Sequence, residues 1–254
     1  MLTAYLTATR SLLQLPGSNS TSLYSDADLT RFINTSRGQV AGEGGCLRVH
    51  GTISTVIGQE SYNFSAVNVG VPATTGVQGV INIQSIHYVA GNGQLWVSPR
   101  AWPWFSLYNR NAAVPRSGPP EEWAQYGQGA APSGLPNTTV NGGSFYLSPL
   151  PDDVYQVNCN TVCYPVPLVD DSTVEALPYF WTDAVPFFAA YFALMSAQTN
   201  ARMADAAQMY KGHYNEFMSR ARNQSNPSVN NYIYQQAGDP AQAAKMGIKA
   251  GGAQ

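Results

Sequence analysis

The sequence WTDAVPFFAAYFALMSAQ, residues 181–198, predicts a helix that is apolar nearly all the way round, and this helix constrains the rest of the fold. Such a helix has to be buried on several sides, so other parts of the chain must cover it. Asp183 is placed to cap its start, and Pro186 then falls in the first turn, where its missing N–H costs little. The large apolar side chains of this helix are Phe187, Phe188, Tyr191, Phe192, Leu194 and Met195.

Three amphipathic helices supply that cover, two near the start of the chain and one after the apolar helix. The second of them begins near Ser25 and Asp26, where a side-chain cap and the helix dipole both favour a start. We therefore expect residues 1–45 and 172–225 to form a four-helix bundle. The apolar faces are, in helix order, Leu2, Tyr5, Leu6, Thr9, Leu12 and Leu13; Leu29, Phe32, Ile33, Ser36 and Val40; and Met203, Ala206, Ala207, Tyr210, Tyr214, Phe217, Met218 and Ala221.

Residues 46–171 change to a strand pattern and predict a long β-rich insertion between the helical segments. Runs such as LRVHGTISTV, GVINIQSIHYV and DVYQVNCNTVCYPVPL are rich in β-branched and aromatic residues and are bounded by glycine, proline and asparagine. The segment 110–143 is rich in proline and glycine, so we expect little regular structure there. The predicted fold class is therefore α+β, with an insertion that is a barrel or a sandwich.

The last segment, residues 226–254, has few bulky apolar side chains and ends in glycine and alanine. It cannot bury enough surface to offset the conformational entropy lost on ordering. We therefore predict an extended C-terminal tail that is disordered by itself or ordered by a partner.

Charged residues make up only 11% of the 254 residues, against about 25% in a typical domain. A weakly charged polar surface is easily desolvated and suits contact with other proteins. The net charge of −2 and the lack of a basic patch give no support to sequence-specific nucleic-acid binding. Three cysteines do not make a disulfide framework and fit synthesis in a reducing compartment. No apolar run approaches about 18 residues, so we expect no transmembrane helix.

Residue types that often carry chemistry are present, but not at the spacing that chemistry needs. A structural zinc site needs about four ligands, and a glycosidase needs two carboxylates that face each other across a cleft. Neither pattern is present, so we expect a protein that is not an enzyme, without catalytic residues, metal or cofactor. The residues of these types are His50, His87, His213, Cys46, Cys159, Cys163, Asp152, Asp153, Asp170 and Asp171.

Aromatic residues in the insertion leave a second function open, a carbohydrate-binding β module carried on a helical base. Trp102 and Trp104 could stack on a sugar, or serve as strand core or as an intersubunit contact; Trp96 and Trp123 add to the same hypothesis. A third hypothesis is a hydrolase that uses Asp152 and Asp153.

Three parts of the chain resemble the portal-bound adaptor proteins of tailed bacteriophages, also called head-to-tail connector proteins. The first is TATRSLLQLPGS with LYSDADLTRFINTSRGQVAGEGGCLR, near the N-terminus. The second is FYLSPLPDDVYQVNCNTVCYPVPL, at the end of the insertion. The third is ALPYFWTDAVPFFAAYFALMSAQ with ADAAQMYKGHYNEFMSRAR, in the closing helices. Residues 51–141 carry no part of this resemblance.

The resemblance implies a structural protein of the virion, made in the cytoplasm of the bacterial host and placed in the neck at the capsid vertex. Such adaptors form rings of about twelve copies under the portal protein. The ring extends the DNA channel, through which DNA passes without sequence-specific contact, and it offers a platform to tail, nozzle or fibre proteins. The C-terminal segment would bind the portal. Its expected portal-binding residues are Tyr232, Ile233, Tyr234, Lys245, Met246 and Ile248.

Overall fold

Helices from both ends of the chain pack together on a curled seven-stranded sheet, so the fold is mixed α+β as predicted. The structure is a computed structural model, which describes residues 1–14, 24–90, 93–108, 116–127, 143–197 and 201–225. The helices are α1 Leu2–Leu12, α2 Asp26–Gly44, α3 Pro72–Thr75, α4 Trp102–Tyr108, α5 Tyr179–Thr182, α6 Ala184–Ser196 and α7 Ala201–Ser225.

Local signals set the start of α2 where the sequence predicts it. The Ser25 hydroxyl accepts a hydrogen bond from the Asp28 N–H at 3.1 Å, and the Asp28 carboxylate accepts one from the Ser25 N–H at 3.4 Å. These reciprocal bonds form a capping box, which satisfies N–H groups that have no partner inside the helix. The helix ends at Gly44 and is capped by Gly45, whose φ of 55° is a left-handed conformation that glycine adopts without strain.

The apolar helix α6 lies among the other helices and contacts α1, α2 and α7. It starts after Asp183 with Pro186 in the first turn, as predicted, although the Asp183 side chain makes no capping hydrogen bond. The Phe188 ring packs against Tyr214 at 4.4 Å and Phe192 at 4.7 Å between ring centroids. The expected burial of α6 on several sides is therefore confirmed, whereas a four-helix bundle stays a prediction.

The sheet has the strand order β1-β7-β3-β4-β5-β6-β2, and every neighbouring pair is antiparallel except β4 with β5. Three register shifts along the β3–β7 pair bend the sheet, as bulges do. The bend brings the two edge strands of the sheet, β1 and β2, close together, since Thr52 in β1 forms an isolated bridge with Asn68 in the segment after β2. The strands are β1 Arg48–Ser54, β2 Ser61–Asn63, β3 Val77–Ala90, β4 Gly93–Pro99, β5 Glu122–Tyr126, β6 Ser144–Ser148 and β7 Gln156–Pro165.

Two short elements of the insertion were not predicted from the sequence. The segment that begins at Trp102 is not strand core but the short helix α4, with Pro103 in its first turn and Phe105 buried. The predicted irregular segment 110–143 contains the strand β5, which pairs with β6 along its whole length. Trp123 and Ala124 are buried in β5, and that burial outweighs the proline and glycine content of the flanking sequence.

One continuous core joins the helices to the sheet. It contains Ile33 and Val185 from the helices together with Val80 and Val157 from the strands. A smaller cluster of Tyr24, Leu29 and Ala193 lies between α2 and α6. The domain boundaries at 45/46 and 171/172 stay a prediction.

Candidate interaction surface

The portal-binding residues expected from the sequence all fall within 226–254 and lie outside the described residues. They are Tyr232, Ile233, Tyr234, Lys245, Met246 and Ile248.

A buried ion pair fixes the helices to the segment that leaves the sheet. The Arg37 side chain in α2 is fully buried, and its guanidinium donates to the Glu175 carboxylate at 2.8 and 3.0 Å. The same guanidinium donates to the carbonyl oxygen of Val166 at 2.7 Å. Next to it, the Asn34 side-chain amide pairs with the backbone N–H and C=O of Leu168. These bonds hold the residues after β7 against α2 and add a polar contact to the apolar core that joins the sheet to the helices.

A second polar contact joins α7 to the end of α2. The Tyr214 hydroxyl donates to the Glu43 carboxylate at 2.9 Å, and Arg222 donates to the Glu43 carbonyl oxygen at 3.0 Å. Burial, and then the neighbouring carboxylate, raises the pKa of Tyr214. The phenol therefore stays neutral and serves as a hydrogen-bond donor between two helices.

The paired aspartates have structural roles. Asp170 accepts hydrogen bonds from Ser172 and Thr173 in the turn that follows β7, and Asp171 accepts one from the Thr3 N–H at the start of α1. Hydrogen bonds from Ser172 lower the pKa of Asp170, and those from the N-terminal ammonium group and Thr3 lower that of Asp171. A general acid needs a proton near neutral pH, and these two carboxyl groups have lost theirs.

The other pair, Asp152 and Asp153, lies in the loop between β6 and β7. Asp152 accepts a hydrogen bond from the Tyr155 hydroxyl at 2.7 Å, and Asp153 accepts one from the Val154 N–H at 2.7 Å. The bond to Asp152 is the largest of the effects that raise the pKa of Tyr155 to about 12. Both aspartates are exposed, and one oxygen of each is engaged in a hydrogen bond within the loop itself.

Histidine and cysteine side chains do not gather into a metal site within the described part of the chain. His50 and His87 lie in β1 and β3, on opposite sides of β7. The thiols of Cys159 and Cys163 are fully buried in β7, and burial raises the pKa of both. A raised thiol pKa leaves little thiolate, so these cysteines act as small apolar core residues.

The four tryptophans of the carbohydrate hypothesis have different surroundings. Trp123 is buried, and the Trp102 ring packs against Tyr126 and Tyr146 at 4.7 and 4.6 Å. Those two rings are used in packing. Trp96 and Trp104 remain partly exposed. The His87 ring lies 4.8 Å from the Trp96 ring centroid, and the Arg100 guanidinium, which pairs with Glu122, lies 4.8 Å from that of Trp104.

A cleft of about 320 Å³ opens beside α4. Its walls carry charges of both signs together with aromatic rings and an arginine, and the last two are enriched at protein contact surfaces. The lining residues are Trp104, Tyr108, Arg116, Glu121, Glu122, Ser148 and Pro149.

Several large apolar side chains of the described residues remain exposed, and two groups of them were missed by the sequence interpretation. One is the segment after β7, where Val169 and Tyr179 are more than three-quarters exposed. The other is the turn after β1, with Val56 and Ile57, together with Val154 from the neighbouring loop. The signal in the sequence was an aliphatic pair directly before a turn glycine, Gly58, where polar residues are usual.

In the described residues, no helix has the length and apolar character needed to cross a bilayer.

Comparisons with known proteins identify the family. A search of curated proteins gives no match. The sequence model of the family described as SU10 adaptor protein matches residues 3–236, which is 234 of the 254 residues and includes both helical ends and the insertion. The chain therefore belongs to the SU10 adaptor protein family, and it is a structural head-to-tail adaptor of a bacteriophage particle.

Proposed function

We propose that this chain forms the adaptor ring in the phage neck, where it binds the portal protein, extends the DNA channel and carries the components of the tail. The observation that carries this proposal is the family match over residues 3–236. The ring would hold about twelve copies side by side, and its location would be the capsid vertex of the virion. Tail, nozzle or fibre proteins would attach on the side away from the portal.

The helices of residues 1–45 and 172–225 are proposed to be the ring-forming bundle, and residues 46–171 the platform. Low charge supports this role, because a subunit in a ring buries both of its flanks against neighbours. A net charge of −2 also favours passage of DNA without tight or sequence-specific contact. The three free cysteines fit synthesis in the reducing cytoplasm of a bacterial host.

Residues 226–254 are proposed to be the tail that binds the portal. The family match ends at residue 236, so it includes Tyr232, Ile233 and Tyr234 but not Lys245, Met246 or Ile248. Each tail offers only a few apolar side chains. A ring presents many tails at once, and such multivalency raises affinity by about 10²–10⁴ without new kinds of contact.

Binding of the purified chain to purified portal rings tests the proposal. Removal of residues 227–254 should leave a folded protein, judged by circular dichroism, that no longer sediments with portal rings. In the full-length chain, the combined changes Tyr232→Ala, Ile233→Ala and Tyr234→Ala should weaken binding. The matched control changes the adjacent polar residues Gln235 and Gln236 to Ala and should bind normally. Unchanged binding by the truncated chain would contradict the role of the tail.

A further inference from the structure

Two loops meet at the end of the sheet that lies away from the helices. We call them the tip, defined as residues 55–60, after β1, and residues 151–155, before β7. β1 has 7 residues and runs from the end of α2 to the tip. At about 3.3 Å per residue, the tip is about 23 Å from the helical end of that strand.

Hydrogen bonds hold the two loops of the tip in one conformation. The Val56 carbonyl accepts from the Gln59 N–H at 3.0 Å, which closes a turn with Gly58 at a φ of 72°. The buried Tyr62 hydroxyl accepts from the Val56 N–H and donates to the Gln59 carbonyl, both at 3.0 Å. Between the loops, the Gly58 N–H donates to the Pro151 carbonyl at 2.8 Å.

Thr55 fixes the second loop from inside. Its hydroxyl donates to the Asp153 carbonyl at 3.1 Å and accepts from the Tyr155 N–H at 2.7 Å, while its own N–H donates to the Tyr155 carbonyl at 2.9 Å. Because the backbone of the tip is already ordered, a partner that binds there does not have to immobilise it.

This rigid tip presents aliphatic side chains to solvent. Val56, Ile57 and Val154 are 53%, 62% and 60% exposed. Turns usually carry polar residues, and a cluster of exposed aliphatic side chains on one rigid surface is typical of a contact site.

Carboxylates border the aliphatic cluster. Asp152 and Asp153 are exposed, and neither forms an ion pair with a described residue. The hydrogen bonds to the Tyr155 hydroxyl and the Val154 N–H engage one oxygen of each group, Oδ1. Their negative charge complements a partner with cationic side chains around an apolar pocket.

The same charges argue against other occupants. DNA phosphates would be repelled, and so would an identical tip from a second copy, since two carboxylate pairs would then face each other. Copies that stand side by side in a ring have their helices at one level. The tip is about 23 Å along β1 from the end of α2, so it lies beyond the helices that are proposed to pack side by side in the ring.

We propose that the tip is the docking point for a different virion protein, which presents an apolar pocket rimmed by lysine and arginine. This inference rests on the proposed function, because it takes the helical end of the ring to face the portal. The aliphatic side chains of Val56, Ile57 and Val154 enter the pocket, and Asp152 and Asp153 pair with its rim.

Photo-crosslinking inside assembled particles tests the inference. The full-length chain with p-benzoylphenylalanine in place of Ile57 is supplied to a phage whose own copy of the gene is inactive, and purified particles are irradiated. The matched control carries the same group in place of Val71, which is 63% exposed and lies beside α3, away from the tip. Position 57 should cross-link to a virion protein other than this chain and the portal, at a segment that contains lysine or arginine, and position 71 should not.

A second variant tests the charges. Asp152→Asn combined with Asp153→Asn should lower the cross-link yield from position 57 severalfold at equal incorporation of the chain. An unchanged yield, a cross-link to another copy of the chain or to the portal, or no cross-link at position 57 would overturn the inference. Purified particles that lack the chain altogether would instead overturn the proposed function, so the two failures are distinguishable.

Discussion

Replacement of Arg37 by methionine should lower the free energy of unfolding by about 3–5 kcal/mol. The variant leaves the Glu175 side chain, only 9% exposed, as a buried carboxylate without its cation. The Val166 carbonyl also loses the donor that lies 2.7 Å away. In a chain of 254 residues, 1 kcal/mol corresponds to about 2 °C in the unfolding midpoint, so the midpoint should fall by about 6–10 °C.

Thermal and urea unfolding, followed by circular dichroism, measure this loss. Arg37→Met combined with Glu175→Leu should regain most of the stability, since no charge then stays buried. The matched control on the same helix is Arg31→Met. Arg31 is 70% exposed and lies 3.8 Å from Asp28, so its loss should change stability by less than about 0.5 kcal/mol. If Arg37→Met stayed within about 1 kcal/mol of the original chain, or if the double variant were no more stable than Arg37→Met, the assigned role of the buried pair would be refuted.

Three further predictions follow from the described contacts. Gly44→Ala should lower the free energy of unfolding, measured in urea, by about 1–3 kcal/mol, because the new Cβ would lie 2.5 Å from the Trp181 ring. The control Gly42→Ala has open space at the new Cβ and should be neutral or stabilising. Equal effects of the two variants would contradict this packing. Asp171→Asn should lower the unfolding midpoint at pH 7, because the pKa of Asp171 is lower in the folded chain than in the unfolded one. This stabilisation is present above the unfolded pKa of about 3.9 and is lost as pH falls towards the folded value. The unfolding midpoints of the original chain and of Asp171→Asn should therefore converge in acid. A difference between these midpoints that stayed constant from pH 7 to pH 2 would exclude the effect. The three cysteines should react slowly with Ellman's reagent at pH 8 while the chain is folded and rapidly after unfolding in guanidinium, because burial raises the pKa of each thiol. A thiol that reacted rapidly in the folded chain would contradict that burial. The cysteines are Cys46, Cys159 and Cys163.

The elements that the sequence predicts correctly are those with strong local signals. The start of α2 follows from Ser25 and Asp28, which bond to each other within four residues. The position of α6 follows from Asp183, Pro186 and an apolar surface that has to be covered. In both places local preference and tertiary packing favour the same structure, so pattern and fold agree.

The features that the sequence does not predict depend on residues far apart in the chain. Arg37 looks like an ordinary surface residue of a helix until Glu175, 138 residues later, brings a carboxylate to it. The strand β5 forms within a segment rich in proline and glycine because the Trp123 side chain is buried in the core. Exposure of Ile57 at the tip is equally a tertiary property, since a Val-Ile pair after a strand pattern is as common inside a sheet as at its end.

Electron cryomicroscopy of purified phage necks would show directly whether this chain forms the adaptor ring. We expect a ring of density directly below the portal into which this fold fits, with the helices of neighbouring copies in contact, residues 226–254 on the portal and the tip turned away from it. A neck map in which this fold occupies no position below the portal, although the chain is present in the particles, would contradict this expectation.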